Sequence, residues 1–290
     1  MSVRRPRTLV VLALVLALGA AYVVIRMTTD PGPAHCEVET ATGAYDLDPD
    51  QAANAATISA VAASRRLPTR AVTIALATAM QESELRNIAH GDRDSLGLFQ
   101  QRPSQGWGSA KQIQDPVYAS GRFYDHLVKI PGYSRLPLTV AAQEVQRSGY
   151  PQAYAKHETS ATLLAAAFTG RERAALNCTT GEGEETAPAT TKQVRAQLTR
   201  EFGKDLVPDQ EPAAAASGSG PEAEGTLRVP ADANRAESGW QLAHWAVAHA
   251  TTLRLEQVSY AGRTWTSGGD NGWQKKGNSD AGHVRLVTTH

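Results

Sequence analysis

The feature that most constrains this chain is a helix that ends in a carboxylate and runs directly into a polar return carrying glycine, ALATAMQESELRNIAHGDRDSLGLFQQRP, Ala75 to Pro103. From Ala71 to about Asn87 the apolar residues Val72, Leu76, Ala79 and Met80, with Ser83, recur at the three- and four-residue spacing of one helical face. Thr69, after Pro68, is placed to cap its start. Glu82 follows Ala75 and Ala79 on a face of small side chains, which suits the floor of a cleft. A carboxyl group set against such a face holds its proton more tightly, as a general acid must. The plain structural alternative is the exposed last turn of a helix.

The spacing after Glu82 adds to this. Glu82-Ser83 is followed, fifteen positions after Glu82, by Gly97-Leu98-Phe99-Gln100, and then by Pro103. This register resembles the core of the soluble lytic transglycosylases, within the lysozyme-like superfamily, where Glu-Ser precedes Gly-Leu-Met-Gln and Pro. The resemblance implies a mainly α lysozyme-like domain of the transglycosylase type that cuts the glycan strand of peptidoglycan. It makes Glu82 the catalytic acid, Ser83 its orienting neighbour and Gln100 a residue facing the sugar, with Gly97, Leu98, Phe99 and Gln101 beside the substrate. Asp115-Pro116 resembles the family's next helix start. The chain departs from the family where Ala-Tyr-Asn-Ala-Gly is expected: Ala141-Ala142-Gln143-Glu144-Val145 stands there, so Gln143 occupies the tyrosine's place. Tyr150 or Tyr154 can supply a hydroxyl from the neighbouring loop, or be an ordinary core tyrosine. A non-catalytic peptidoglycan-binding or scaffold protein with the same fold is the alternative function.

Arg4, Arg5 and Arg7 precede an apolar run of 17 residues, Leu9 to Ile25. That length just meets the minimum for a membrane-spanning helix. The run continues past Gly19, Ala20 and Ala21, which favours a retained anchor over a cleaved signal, and the leading arginines place the remainder outside the cytoplasm. Secretion after cleavage is the other possibility. Cys36 and Cys178 are the two cysteines, and in an exported chain an even number is normally paired; two buried thiols are the alternative. A net charge of zero provides no field for nucleic acid.

Asp48-Pro49 with Gln51 reads as a cap for an alanine-rich helix to about Leu67, and further helices are expected over 116–127, 141–147 and 160–168. Trp107, in Gly-Trp-Gly, suits either stacking on a sugar or packing. Asp92 and Asp94 read as a solvated turn or as a second carboxylate for a hydrolase. His157-Glu158 begins like a zinc-peptidase motif, but Ala161 stands where the second histidine belongs, so no metal is expected, and no motif calls for a cofactor.

Composition shifts after Cys178. Residues 179–225 read as a linker containing a short helix from Gln193 to Phe202, and residues 226–290 as a small α+β module of unrecognised kind. That module is expected to hold a helix from Glu237 to Thr252 and strands over 256–260, 263–266 and 283–288, the first two joined at Ala261-Gly262. Its tryptophans, Trp240, Trp245, Trp265 and Trp273, suit either glycan contact or a core. Residues 1–35 then form the basic tip, anchor and stalk, and residues 36–178 the helical domain closed by the disulfide. The partners expected are peptidoglycan and, through the N-terminal helix, the membrane.

Overall fold

The protein is seen in a computed structural model that describes residues 10–11, 14–15, 17–22, 33–150, 152–180, 189–205, 207, 225–232, 236–269, 272–277 and 281–289. Residues Met1–Pro33 and Ala34–His290 form two compact units. In the first, the described positions from Val10 to Tyr22 are helical, and the large apolar side chains among them are exposed. The Leu9 to Ile25 run lies partly outside the described residues; among the described ones, no helix is long and apolar enough to cross a membrane. The chain is about half helical with two small antiparallel sheets among the described residues, an α+β mixture.

The second unit opens on strands β1 (His35–Thr40) and β2 (Gly43–Leu47), and β3 (Leu176–Thr179) returns to pair with β1, giving the order β2-β1-β3. Alternation explains β1: Cys36 and Val38 point inward while their neighbours meet solvent. Cys36 lies directly opposite Cys178 in the ladder and is bonded to it, with the Cα atoms 4.0 Å apart. Closing a loop of 142 residues stabilises by about 5 kcal/mol on the loop-entropy argument. The stretch expected to be mainly helical therefore begins and ends in short strands.

Helix α1 (Pro49–Ser64) starts where Gln51 Oε1 accepts the Asp48 backbone N–H at 2.8 Å. It is buried on nearly every side, and its alanines let the surrounding elements approach closely. It stops before Leu67 because Arg66 turns left-handed. Helix α2 (Thr69–Ser83) takes Thr69 as its first helical residue, with Pro68 in the cap position. Next come α3 (Ala110–Ile113), α4 (Pro116–Leu127) with Asp115 Oδ1 accepting from Val117 N–H, α5 (Leu138–Gln146) and α6 (Glu158–Phe168). Helix α7 (Thr191–Phe202) buries Val194, Leu198 and Phe202.

The C-terminal region holds β4 (Thr226–Pro230), α8 (Ala236–Ala248), α9 (Ala250–Leu253), β5 (Leu255–Tyr260), β6 (Arg263–Thr266), β7 (Gln274–Lys275) and β8 (His283–Thr288). Its sheet order is β4-β8-β5-β6-β7. The single helix expected here breaks at His249, and two strands join the three expected. All four tryptophans are buried, so they serve the core rather than a glycan. This region does not stand apart. Its helix α8 packs on α1, α6 and β3, and one continuous core joins both halves of the Ala34–His290 unit. Trp273 Nε1 donates to Leu176 O at 2.8 Å and Trp265 Nε1 to Asn177 Oδ1 at 3.0 Å. Gly170, at φ +74°, meets α8 so closely that an added Cβ would lie 1.9 Å from Glu237 O.

His244 seals the same seam. Its Nε2 accepts the Ala175 N–H at 3.1 Å, which leaves Nδ1 to carry the proton and donate to Ala167 O at 2.8 Å. Burial holds its pKa down to about 4. Between that value and the unfolded value near 6.5 the unfolded chain binds the extra proton, so stability falls with falling pH through this window. The loss should reach on the order of 3 kcal/mol by about pH 4. Denaturant midpoints taken across the window should show a shallower slope in His244→Gln, whatever that variant's absolute stability.

Candidate active site

The turn that ends α2 sets the site. Glu84 and Leu85 are both left-handed, at φ 55° and 61°, conformations that cost a non-glycine residue on the order of 1 kcal/mol or more. Helix α1 holds them there: Gln51 Nε2 donates to Glu84 O at 2.7 Å and Asn54 Nδ2 to Leu85 O at 2.8 Å. Helix α2 thus ends at Ser83, four residues earlier than its periodicity suggests, and Glu82 stands half-buried in its last turn.

The return after α2 is closed by reciprocal backbone bonds between Leu96 and Gln101, 2.9 and 3.0 Å, around Gly97-Leu98-Phe99-Gln100. Gly97, at φ +73°, is pressed against the chain, and a Cβ there would lie 2.8 Å from Ile113 O. Leu98 and Phe99 are fully buried, Phe99 stacking on Phe123 at 4.7 Å, so neither is free to touch a sugar. Gln101 is also core, its Nε2 donating to Ala119 O. Gln100 spends its amide on the loop itself, on His90 O and Gly97 O, with its side chain over Gly91. The expected substrate contacts of Gly97, Leu98, Phe99 and Gln101 are therefore corrected to a packing role, because the turn must be rigid and its apolar side chains have only the interior to enter.

Ser83 does not touch the carboxylate. Its hydroxyl donates to Leu98 O at 2.8 Å, joining α2 to the return. The adjacent carbonyl, Phe99 O, takes Gln146 Nε2 at 2.7 Å from the end of α5. Two consecutive carbonyls of the return are thus held, one from the helix that bears Glu82 and one from α5.

Tyr154 lies in the 3-10 turn Ala153–His157, and its hydroxyl donates to Glu82 Oε1 at 2.8 Å. It is wholly buried. The Gln146 amide lies near the Glu82 carboxyl, and it and the Tyr154 hydroxyl favour the charged form, but desolvation outweighs them and raises the Glu82 pKa. The Tyr154 phenol is itself raised by burial and by the carboxylate. Ser148 Oγ accepts the Tyr150 backbone N–H at 3.2 Å.

Gln143, expected in the tyrosine's place, instead holds the loop: its Nε2 donates to Ser148 O at 2.8 Å. The glutamine that lies near the carboxyl, bonded to the return at Phe99 O, is Gln146, one helical turn further along α5, which the sequence reading missed; the three-residue spacing from Gln143 was its only signal. Tyr150 is 79% exposed on the connecting loop and does not reach Glu82. Trp107 is half-buried and stacks on His126 at 4.2 Å, which agrees with its packing alternative. Asp94 is tied to Arg102 Nε at 2.7 Å and to Ser104 N–H at 2.8 Å, bonds that hold its pKa far below the usual carboxylate range. It braces the return. His157 Nε2 lies 3.3 Å from Gln81 Oε1, beside Glu82 in the chain.

The arrangement combines one carboxyl whose pKa is raised by burial, a phenol that fixes its orientation, an amide close by, and a return locked on both sides. Such a group can protonate a leaving oxygen and later take a proton back. Set against models of protein families and against curated proteins, the chain matches none.

Proposed function

We propose that this chain is a lysozyme-like enzyme of the transglycosylase type that cleaves the glycan strand of peptidoglycan, with Glu82 as its single acid and base. The observation that carries the reading is the half-buried Glu82 carboxyl with a raised pKa, held by Tyr154 at the start of the Glu-Ser to Gly-Leu-Phe-Gln register. Protonated Glu82 would donate to the glycosidic oxygen as the bond to the anomeric carbon breaks. The resulting carboxylate would accept the proton of the sugar's own 6-hydroxyl as that oxygen closes on the same carbon, leaving a 1,6-anhydro end. Attack by water instead would leave a reducing end.

Tyr154 takes the part expected of the missing family tyrosine, reaching the carboxyl from the segment after α5 rather than from α5 itself. The disulfide suits an oxidising compartment, and the basic residues before the Leu9 to Ile25 run suit an anchor with the remainder outside the cytoplasm. Digestion of purified peptidoglycan with product identification by mass tests the activity. An anhydro product supports the transglycosylase reading, a reducing end supports hydrolysis, and wall binding without product would replace both with a scaffold.

Tyr154→Phe provides a finer test. Loss of the hydroxyl removes a bond to the charged form, so Glu82 should hold its proton to higher pH, and the alkaline limb of the rate profile should move upward. An unmoved limb with unchanged rate would remove Tyr154 from the site.

A further inference from the structure

We propose that Gln143 is a positioning residue for the acid: it fixes the loop that follows α5 and so keeps the Tyr154 hydroxyl on Glu82. This rests on the reading of Glu82 as acid and base, and adds to it a residue that forms no hydrogen bond with the carboxyl itself. Tyr154 lies beyond residues 147–152, which join α5 to the 3-10 turn Ala153–His157. Among the described residues of that loop, Ser148 is half-buried and the others are exposed. A loop that buries so little keeps one conformation mainly through its hydrogen bonds.

Those bonds start at Gln143 and lead step by step to Tyr154. The Gln143 carbonyl accepts the Arg147 N–H at 2.7 Å, and the side-chain Nε2 donates to Ser148 O at 2.8 Å, so one residue holds two successive positions of the loop. Ser148 Oγ accepts the Tyr150 N–H at 3.2 Å, and Tyr150 O accepts the Ala153 N–H at 3.1 Å. Ala153 opens the 3-10 turn, and Tyr154 follows it. The loop also begins in a costly shape. Arg147 is left-handed at φ 51°, a conformation that a residue with a side chain keeps only where its surroundings impose it.

Neither packing nor helix capping accounts for Gln143. Its Oε1 is buried and has no hydrogen-bond partner among the described residues, a cost that an apolar side chain of similar size would not carry. Its amide reaches past the helix end to Ser148 and satisfies no carbonyl in the last turn of α5. What the glutamine contributes is the bond to the loop. The 3-10 turn packs on α2, α5 and α6, with α6 anchoring its far end and the loop its near end. The carboxyl depends on that placement, because no ion pair engages Glu82 among the described residues. Tyr154 faces it from the turn, the neutral Gln146 amide lies near it from α5, and His157 meets Gln81 instead. A hydroxyl displaced from 2.8 Å to beyond about 3.5 Å no longer bonds.

The test uses the full chain in detergent, with glutamate side-chain carboxyls labelled with carbon-13, and follows the Glu82 resonance by NMR as pH changes. The signal missing from Glu82→Gln identifies it. Tyr154→Phe should raise the proton affinity of Glu82 about tenfold, the size of one lost hydrogen bond to the charged form, and Gln143→Leu should raise it about threefold. Beside Tyr154→Phe, Gln143→Leu should add nothing, because it acts through that hydroxyl. Ser148→Ala removes the next link and should move Glu82 in the same direction. An unmoved Glu82 in Gln143→Leu, whatever its melting point, would overturn the proposal, and so would a shift that persists in full beside Tyr154→Phe. Should Gln143→Leu not fold, Ser148→Ala decides by the same two criteria. Glycan cleavage assayed on the same preparations separates the two readings. Cleavage with no coupling between Gln143 and Tyr154 overturns the positioning alone, while coupling in a wild type that cleaves nothing supports the positioning and overturns the enzymatic reading.

Discussion

Glu82→Gln is expected to lower glycan release from purified peptidoglycan by at least about 10²- to 10⁴-fold, the range typical of a lost general acid or base. The amide keeps the shape of the carboxyl and still accepts the Tyr154 hydroxyl bond, but it has no proton to transfer. Wall binding should persist. Stability should change in a defined direction as well. Burial raises the Glu82 pKa above its unfolded value, so between those two values the folded chain binds more protons than the unfolded one, and stability falls as pH rises through that window. Above it, wild type bears the full cost of a desolvated carboxylate, which the glutamine variant escapes. The variant should therefore melt higher than wild type at neutral pH, and the difference should shrink as the pH drops below the ordinary carboxylate range. Retained cleavage would remove Glu82 from the chemistry, and a lower melting point at neutral pH would contradict the account of its environment.

Much of this site was legible because it depends on spacing along one segment. The carboxylate at the end of α2 and the Gly97 turn lie within one continuous stretch, and helical periodicity with a turn glycine marks both. The roles inside that stretch were less legible. Leu98, Phe99 and Gln101 stand next to the acid in sequence, yet their side chains enter the core, because a turn closed by the Leu96 and Gln101 backbones leaves the interior as their only direction. Gln146 comes to Phe99 O in the return from a different helix and Tyr154 to Glu82 from a 3-10 turn, and no local pattern records which of several glutamines and tyrosines will arrive. Strands β1 and β3 escaped for a related reason: each is brief, and their partnership is written across 142 residues only by the cysteine pair.

The composition shift after Cys178 suggested an independent module, and here packing gives a different expectation: a chain ending at Thr180 should fail to fold cooperatively. Such a cut removes α7, which buries Val194, Leu198 and Phe202, and α8, whose Trp240 and Trp245 are buried in the common core. It also removes the Trp245 Nε1 bond to Glu201 Oε2 at 2.6 Å that joins these helices, and the ion pair of Arg200 with Asp115 that ties α7 to the start of α4. On the side that remains, α1 would expose its alanine faces, and the Leu176 and Ala167 carbonyls would lose Trp273 and His244. Two buried tryptophans cover on the order of 300–500 Å², worth about 10 kcal/mol at roughly 25 cal/mol per Å², which alone matches the whole stability of a typical domain. The disulfide cannot compensate, since it restricts the unfolded chain by about 5 kcal/mol and supplies no surface to cover α1. Thermal melting followed by circular dichroism and dye binding provides the check. The truncated chain should show no sharp transition and should bind a hydrophobic dye at low temperature, whereas a cooperative melt with glycan cleavage retained would restore residues 226–290 to the standing of a separable module.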